Sequence, residues 1–397
     1  MPNELKDSVL SISEQIIGWR RQFHRYPELG LECYKTAEAV AEHLTKLGLK
    51  VKTGIAKTGV LGTLTGANPG PVAAMRGDMD ALPLTEQTGL PFASEIEGVM
   101  HACGHDGHTA MGLGVATVLA KYKHKLSGTI KFIFQPGEES PGGAEPMVKE
   151  GVLENPKVDA IFGCHIFPSL PAGKIGIRYG AMTAGNDEFQ ITLHGVGGHA
   201  AYPYRCADPV AAAGHLITAV QTIVSRNNDS VNPLVVSITA INGGSGFNII
   251  PETVTLNGTI RSISEQARQL AITRLEQIIE GIKTGFGIEC KLEIVTRDFP
   301  LICDEELTKF VEQSLVNWID KDRVQIINNP SMGAEDFAYF SANAPANYLR
   351  IGSYDEKNNY THNLHTPYFN FDEKILIDGT YVLSGILMDY LHLKAHF

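Results

Sequence analysis

Apolar positions recur at helical spacing near the start of the chain and then give way to short alternating runs. Between residues 8 and 23 they lie three and four positions apart, and Thr36 is suited to cap a second helix that runs to Leu47. From Val51 onward, apolar runs of a few residues are separated by glycine turns. This pattern predicts two helices followed by a series of β-strands.

Strands and helices then alternate through the next part of the chain and again near its end. Such alternation is typical of an α/β layer, in which helices cover a β-sheet. The predicted fold class is therefore α/β, with a central mixed β-sheet flanked by helices. The predicted strands are 59–64, 71–75, 129–135, 158–163 and 348–352, and the predicted helices are 109–122, 305–319 and one that begins at Glu373.

The segment from 186 to 296 has an order of its own, β-α-β-β-α-β, which is that of ferredoxin-like folds. Because this order is complete in itself, we expect an inserted ferredoxin-like α+β domain at 186–296, between the two parts of a first domain at 1–185 and 297–397. The predicted strands of the insert are 188–194, 234–241, 253–261 and 288–295, and its predicted helices are 209–226 and 264–283.

Composition narrows the classes of function. A length of 397 residues favours two domains, and a formal net charge of -11 argues against a nucleic-acid or anionic-membrane surface. Residues 1–15 lack the apolar core of a secretory signal, and the weakly polar run 110–120 is too short to span a bilayer. The six cysteines are irregularly spaced and do not form a disulfide framework. We therefore expect a cytoplasmic protein.

The stretch from Met100 to Thr109 concentrates metal-ligand atoms, with three imidazoles, a thiol and a carboxylate. Cys103 and His105 lie two positions apart, so both side chains can reach one cation. However, buried cysteines are usually inert and single histidines are usually structural. The spacing alone therefore leaves both interpretations open.

Adjacent carboxylates at Glu138 and Glu139 follow the apolar run 129–135 directly after a Pro-Gly turn. Because neighbouring side chains point in different directions, one can bind a cation while the other holds a water as general base. The alternative is a solvated acidic turn. The buried strand that leads into the pair favours a functional site.

Four more candidates lie at predicted strand ends or in a loop. Asp78 and Asp80 follow one apolar strand, and His165 follows another. His365 lies in a loop before the last helix. Open α/β sheets place their ligand sites at strand ends. Each residue also has an ordinary structural interpretation, as a turn cap, a core histidine or a solvated loop histidine.

The predicted insert offers three candidates. His199 ends the glycine-rich run 195–199, which lacks the spacing of a dinucleotide-binding fingerprint and is better interpreted as a turn that presents the imidazole. Asn248 and Arg261 carry an amide and a guanidinium that suit a carboxylate ligand. A turn-capping Asn and an exposed strand Arg are equally plausible interpretations.

Six ordered motifs carry a resemblance to a known family. In this order they resemble dinuclear-metal amidohydrolases of the aminoacylase/carboxypeptidase type, in the branch of the hippurate hydrolases, the N-acyl-amino-acid amidohydrolases and the plant auxin-conjugate hydrolases. The resemblance covers nearly the whole chain. The motifs are Arg76–Pro83, Met100–His108, Gln135–Glu139, Gly197–Ala200, Gly258–Arg261 and Gly333–Phe337.

The resemblance implies a role for each candidate. It makes Glu138 the general base, His199 an oxyanion donor that reaches across a dimer interface, and Asn248 and Arg261 the groups that hold a substrate carboxylate. The implied metal ligands, with a thiolate bridge between two cations, are Cys103, His105, Glu139, His165 and His365.

Two positions depart from the wider family. In the wider family a His occupies the position of Asp78 and an Asp occupies the position of Cys103. The hippurate-hydrolase branch has the same two residue types as this chain. The thiolate is softer than a carboxylate, so zinc, manganese, cobalt and nickel all stay open. Asp78 and Asp80 are expected to support ligands. His101 and His108 are expected to be structural or supporting residues, and His362 is a minor alternative to His365 as a ligand.

The implied reaction is hydrolysis of the amide bond of an N-acyl-L-amino acid by a metal-activated water, in a homodimer or higher homo-oligomer. The small-molecule substrate would be hippurate-like or an N-acetyl amino acid. Alternatives within the enzymes are a carboxypeptidase, a dipeptidase or an N-acetyl-diaminopimelate deacetylase. A non-catalytic binding homologue is the alternative from another class.

Overall fold

A computed structural model describes residues 2–393 of the chain, with the side chains of 2–392. The helices within this range are α1 Pro2–Leu10, α2 Ser13–Arg25, α3 Tyr34–Lys46, α4 His105–Lys121, α5 Ala144–Lys149, α6 Pro209–Thr222, α7 Glu265–Phe286, α8 Glu305–Trp318, α9 Ala338–Ser341 and α10 Lys374–Leu393. The strands are β1 Lys50–Ile55, β2 Gly59–Thr65, β3 Asn68–Asp78, β4 Ser127–Gln135, β5 Ala160–Pro171, β6 Ile175–Ile177, β7 Gly180–Thr183, β8 Gly185–His194, β9 Gly198–His199, β10 Leu234–Gly243, β11 Ile249–Ile250, β12 Thr253–Ser262, β13 Glu289–Asp298, β14 Leu301–Cys303, β15 Val324–Ile326 and β16 Ala346–Tyr354.

The contacts divide the chain into two compact units. The first comprises the described residues up to Gly180, Ile302–Asn328 and the described residues from Asp336 onward, and the second comprises Ala181–Leu301 and Asn329–Glu335. The domain bounds at 185/186 and 296/297 stay a prediction, because contacts group residues by proximity and not by independent folding.

The first unit is built on an eight-stranded sheet in the order β1-β2-β4-β3-β5-β16-β6-β15. Its central pairs β4–β3, β3–β5 and β5–β16 are parallel, whereas β1–β2, β2–β4 and β16–β6 are antiparallel. The sheet is therefore mixed and flanked by helices, as the sequence predicts. Parallel strands covered on both faces must be apolar throughout, and β4 is buried from Ile130 to Gln135.

Helix α4 begins with the candidate ligand His105 and is enclosed by the first unit. All of its residues from His105 to Leu119 are buried, and it contacts α2, α10 and β3. The predicted start at Thr109 is wrong by one turn. A helix that is buried on all sides shows no amphipathic period, and the buried residues of its first turn are polar, so the apolar pattern gives no signal for that turn.

The second unit has the predicted ferredoxin-like topology. Its four-stranded antiparallel sheet has the order β10-β12-β8-β13, and α6 and α7 follow the first and third of its strands along the chain. Side chains alternate along β8 and β12, and one face of the sheet packs with the helices into a separate apolar core. The predicted helix 209–226 ends earlier, because a π-helical turn at Ile223–Asn227 follows α6.

One strand is longer than predicted. The apolar run 158–163 predicts a strand that ends before His165, but β5 continues to Pro171. It continues because it pairs with β16 along its length, with His165 opposite Arg350 and Phe167 opposite Gly352. His165 is therefore a buried residue within a central strand and not a residue beyond its end.

The state of the cysteines and the character of the helices bear on two further expectations. All six cysteines are free thiols, as their spacing predicts. Among residues 2–393, no helix combines the length and apolar character needed to cross a membrane.

A buried ion pair holds the first turn of α4 against α2. Asp106 accepts hydrogen bonds from Arg20 Nε at 3.2 Å and from His24 Nδ1 at 2.8 Å. Burial opposes ionisation of Asp106, but His24 and Arg20 hold its pKa below its usual range. This carboxylate therefore stabilises the fold at neutral pH, and its contribution is lost as pH falls below about 4.

Asp106→Asn is expected to destabilise the protein by about 3–5 kcal/mol at pH 7, because it leaves a buried charge without its partner. Denaturant titration measures the loss. Below about pH 4 the difference from the wild type should shrink, since Asp106 of the unfolded wild-type chain is then protonated while the folded protein keeps this carboxylate ionised. Glu42→Gln, which breaks an exposed pair with Lys46, is the control and should leave stability unchanged. Equal effects of the two substitutions would contradict the prediction.

Candidate metal centre

The strand ends of the first unit bring the candidates to one edge of the sheet. β3 and β4 end at Asp78 and Gln135, which are register partners. β3 and β5 pair as far as Met75 and Phe162, and three residues later the chains reach Asp78 and His165. The site therefore forms where β3 and β4 stop and β5 runs on.

Cys103 lies at the centre of the ligand atoms. Its Sγ is 3.4 Å from His165 Nε2 and 3.3 Å from His365 Nε2. His365 Nε2 is in turn 3.0 Å from Glu139 Oε1. Cys103 belongs to two groups whose ligand atoms all lie within 4.8 Å of one another, Cys103–His105–His165 and Cys103–Glu139–His365. The thiol is thus shared between two candidate cation sites.

A third group joins these two sites through the paired carboxylates. The ligand atoms of His105, Glu138 and Glu139 also lie within 4.8 Å of one another, and His105 Nε2 is 3.9 Å from Glu138 Oε2. Glu138 therefore lies beside the ligand cluster and is partly exposed, as a general base that contacts a substrate must be.

Hydrogen bonds fix which nitrogen of each ligand imidazole carries the proton. His105 Nδ1 lies 2.9 Å from the backbone oxygen of Asp80, and His165 Nδ1 lies 2.6 Å from that of Ile166. A carbonyl can only accept, so Nδ1 donates in both rings, and in the neutral form of each ring Nε2 has a lone pair that faces the cluster. His105 Nε2 is buried without a hydrogen-bond partner in the described part of the chain.

His108 and Asp78 lie behind the candidate ligands and are hydrogen-bonded to each other. His108 Nδ1 is 2.6 Å from Asp78 Oδ1, and His108 Nε2 accepts the backbone N–H of Ile166 at 2.9 Å. Both nitrogens are therefore engaged, which suits the expected supporting role. The Asp78 carboxylate also accepts from Arg76 Nη1 at 2.5 Å. It thus ties β3 to α4 and, through His108, to the residue after His165.

The other two histidines of interest lie outside the cluster. His101 is buried, and neither of its ring nitrogens has a hydrogen-bond partner among the described residues. Burial lowers the pKa of His101 to about 3, so this ring is neutral. His362 is exposed, and its ring centroid lies 5.3 Å from that of Tyr368, with the two rings tilted by 37°. Neither histidine belongs to any of the candidate ligand groups that residues 2–392 form.

Asp80 orients the paired carboxylates through their backbone. Its two carboxylate oxygens accept the N–H groups of Glu138 and Glu139, each at 3.0 Å. The turn that carries the two glutamates is therefore fixed from the end of β3. Through these two hydrogen bonds Asp80 could support the ligands, and its role stays a prediction.

The electrostatics of the cluster suit cations. Burial and the carboxylates of Glu139 and Glu138 raise the pKa of the Cys103 thiol well above its usual value. Burial opposes protonation of His105, yet Asp78 and Asp80 raise its pKa to about 10. Excess negative charge surrounds both residues, so divalent cations would stabilise a thiolate and a neutral imidazole there. The residues present therefore fit a dinuclear metal site.

Metal uptake is expected to release protons near pH 7 from Cys103, His105 and His365, because the nearby carboxylates raise the pKa of all three and ligands bind as thiolate and neutral imidazole. Apparent affinity should therefore rise as pH increases from 6 toward the His105 pKa of about 10. Calorimetry of chelator-treated protein in buffers of different ionisation enthalpy counts the protons. Cys103→Ala should release one fewer. Uptake that is independent of pH would contradict these protonation states.

The three candidates of the predicted insert lie in the second unit. β9 pairs with β11 so that His199 is opposite Ile249, and Ala200 N–H donates to the backbone oxygen of Asn248 at 3.0 Å. His199 and Asn248 are thus neighbours. His199 is exposed, and its Nδ1 accepts the N–H of Ala201 at 3.1 Å. In the neutral ring the proton is therefore on Nε2, which is free to donate.

Arg261 borders a cavity of the second unit. The cavity has a volume of about 680 Å³ and is lined mainly by polar side chains, among them Gln190, Asn257 and Thr259. The Nη1 atom of Arg261 is buried and has no hydrogen-bond partner among the described residues. Burial lowers the pKa of this guanidinium, but an arginine stays charged at neutral pH. Its Nη1 atom can donate to an anion, and the carboxylates of Glu188 and Glu293 line the same cavity.

Residues 74–389 match the model of peptidase family M20/M25/M40. The chain belongs to this family. Its M20 relatives include the YXEP protein of Bacillus subtilis, a dinuclear metal binding peptidase whose crystal structure has a TM-score of 0.84 and 32% identity, with 96% of this chain and 99% of that chain covered. The family indicated by the motifs and the fold class predicted from the alternation of strands and helices are both confirmed.

Two curated relatives show the range of activities among similar M20 chains. Thermostable carboxypeptidase 1 of Saccharolobus solfataricus is 40% identical over 94% of this chain and 94% of its own length. N-acetyl-L-cysteine deacetylase of Bacillus subtilis is 37% identical over 94% of this chain and 87% of its own length. One relative is therefore a peptidase by name and the other a deacylase.

Several supporting residues of this M20 chain are not among the predicted site residues. Arg76, Gln135 and Asp336 form a buried polar network beside the ligands, and Asp106 holds α4. Arg76 and Gln135 carry a signal in the sequence, since each is a polar residue in an otherwise apolar strand. Asp336 and Asp106 carry none beyond their place in a motif, because their partners are distant in sequence.

Proposed function

We propose that this protein is a metal-dependent amidohydrolase that cleaves the amide bond of N-acyl-L-amino acids. The observation that carries the proposal is the shared thiol. Cys103 belongs to two separate groups of candidate ligands, and Glu138 and Glu139 lie beside them. Two divalent cations held there would supply Lewis acidity, which polarises an amide carbonyl and lowers the pKa of an attacking water.

The chain's own residues have distinct proposed roles. Cys103, His105 and His165 would hold one cation, and Cys103, Glu139 and His365 would hold the other. Glu138 is not needed as a ligand in either group, so its carboxylate is available to take a proton from the attacking water and return it to the leaving amine.

The proposed roles of the second unit rest on donors that are free to act. His199 carries its proton on Nε2 in the neutral ring, which suits a hydrogen bond to an oxyanion. Arg261 has a buried Nη1 atom without a described partner, which suits a substrate carboxylate, and Asn248 is the third proposed contact. If His199 acts on the site of a second chain, the protein must be at least a homodimer. A cytoplasmic location fits the free cysteines.

A specific observation favours a second candidate function. One relative, at 40% identity, is a carboxypeptidase by name, and peptides with a free carboxylate present the same amide bond and the same anion. The acyl group that the enzyme prefers in its substrate distinguishes the two functions. A peptidase prefers an aminoacyl group with a free amine, whereas a deacylase prefers an acetyl or benzoyl group.

A substrate panel tests the proposal. Chelator-treated protein reconstituted with zinc, manganese, cobalt or nickel is assayed on hippurate, N-acetyl amino acids, N-acetyl-diaminopimelate and dipeptides, with release of free amino acid as the readout. We expect chelator-sensitive turnover that is fastest on N-acyl amino acids. Faster turnover of dipeptides would favour the peptidase. No release from any substrate by metal-loaded protein would favour a non-catalytic binding protein.

A further inference from the structure

The two glutamates lie on a loop that closes on itself. Residues 136–143 leave β4 and return to the start of α5, and Gly142 N–H donates to the backbone oxygen of Gly137 at 3.0 Å. At the base of the loop, an added Cβ on Gly143 would lie 1.7 Å from the oxygen of Pro136. We call this base, Gln135–Pro136 with Gly143–Ala144, the neck of the loop.

A single carboxylate spans the neck. Asp336 accepts the Gln135 amide at 2.8 Å on Oδ1 and at 2.7 Å on Oδ2. On the other side, Asp336 Oδ2 accepts the backbone N–H of Gly143 at 3.1 Å and that of Ala144 at 3.0 Å. The chain entering the loop and the chain leaving it are thus tied to the same side chain.

The carboxylate is itself held in place. Arg76 Nη2 donates to Asp336 Oδ1 at 3.0 Å, and Arg76 Nε donates to Gln135 Oε1 at 2.9 Å. Asp336 is only 3% exposed and Arg76 only 1%. Charge-assisted hydrogen bonds in such a buried site are strong and directional. Through Asp78, the same Arg76 also contacts the network behind His108.

We infer that Asp336 is a positioning residue that sets the place of Glu138 and Glu139 by closing the neck of their loop. Asp80 fixes the loop at the two glutamates, and Asp336 fixes it at the base, so both contacts are needed to hold the carboxylates against the ligand cluster. The inference rests on the proposed function for its effect on turnover. Its effect on metal binding can be measured separately.

The groups that bind Asp336 at the neck all donate hydrogen bonds to it. An amide of the same shape as the carboxylate therefore disturbs these bonds with little change in volume. In Asp336→Asn, an NH2 group must face either Arg76 and Gln135 or the two backbone N–H groups. Displacement of the loop by about 1 Å is expected to lower kcat about hundredfold. The cation held by Glu139 should be lost before the one held by Cys103, His105 and His165, so metal content should fall from two toward one per chain with little change in KM.

A double variant tests the cause. In the double variant Asp336→Asn with Gln135→Glu, the side chain at position 336 donates the hydrogen bond across the neck and the side chain at position 135 accepts it. The carboxylate introduced at position 135 can accept from both Arg76 and the new amide. The oxygen of that amide then stays free for the N–H groups of Gly143 and Ala144. We expect metal content to return toward two and kcat to recover to within about tenfold of the wild type. A merely destabilising change would not be rescued in this way.

Asp389→Asn is the matched control. This carboxylate also accepts buried donors in the first unit, from Trp318 Nε1 at 2.8 Å and from Ser314 Oγ at 2.6 Å. It should lower the melting temperature without changing the metal content of the folded protein. If Asp336→Asn does not fold, Gln135→Met serves instead, because it releases only the entering side of the neck; kcat and metal content should then fall in the same pattern, to a smaller extent.

The outcomes separate the inference from the proposed function. Wild-type protein that binds no metal or hydrolyses no substrate of the panel would refute the proposed function. If the wild type does both, Asp336→Asn or Gln135→Met that folds and keeps two metals and wild-type kcat would overturn the inference alone. Loss of both metals together, without rescue by the double variant, would also overturn it.

Discussion

Glu138→Gln is expected to lower kcat by about two to four orders of magnitude while leaving both metals bound. The amide has the shape of the carboxylate but cannot accept a proton, so general-base catalysis is lost at this position. Because Glu138 is not required in either ligand group that contains Cys103, metal content should stay near the wild-type value. Steady-state kinetics with elemental analysis of the same sample measures both effects.

Two neighbouring acids provide the comparison. Glu139→Gln should reduce metal content as well as kcat, since Glu139 is a proposed ligand. Glu145→Gln changes an exposed acid on α5 that pairs with Lys149, and it should leave both quantities unchanged. Normal turnover by metal-loaded Glu138→Gln would show that another group acts as the base.

Cys103→Ala is expected to have the largest effect on metal binding, because it removes the one side chain that both ligand groups share. Affinity for both cations should fall by more than about a hundredfold, the upper end of what loss of a supporting residue alone produces. Activity should be lost with the metals. Equilibrium dialysis against zinc or manganese measures the affinities.

The identity of the shared atom can be tested separately. Cys103→Asp restores a charged ligand that is harder than a thiolate, so it should recover manganese binding better than zinc binding. Cys164→Ala is the control, since Cys164 is a buried cysteine beside His165 that belongs to none of the ligand groups formed by residues 2–392. If Cys103→Ala kept two tightly bound metals, the shared thiol could not be a bridging ligand.

Much of the fold could be predicted because its two units follow different local rules. The alternating side chains of β8 and β12 identify half-buried strands, and the six elements of the second unit occur in an order that matches one fold. The first turn of α4 and the length of β5 could not be predicted in the same way. α4 is enclosed on every side, so its polar first turn breaks the apolar pattern although it is buried. His165 resembles a strand end because a polar residue interrupts an apolar run.

The ligands of the candidate site could be predicted from the sequence, whereas the residues that hold them in place could not. Cys103, His105 and the glutamate pair stand out as concentrations of ligand atoms, and the motifs add His165 and His365. The residues that hold these ligands in place have partners far away along the chain, which no local pattern can reveal. Asp336 and Gln135, for example, are 201 positions apart. Arg76 and Gln135 are visible only as polar residues in apolar strands, without any indication of their partners.

The neck of the glutamate loop also limits how sequences of this kind can vary. Gly143 has no space for any side chain, because a Cβ would lie 1.7 Å from the oxygen of Pro136. At Gly142 the surroundings are open, yet its φ of 98° disfavours other residues. In a library randomised over 136–143, position 143 should therefore return glycine alone and position 142 mostly glycine, so the selectable diversity of the loop lies in the remaining positions.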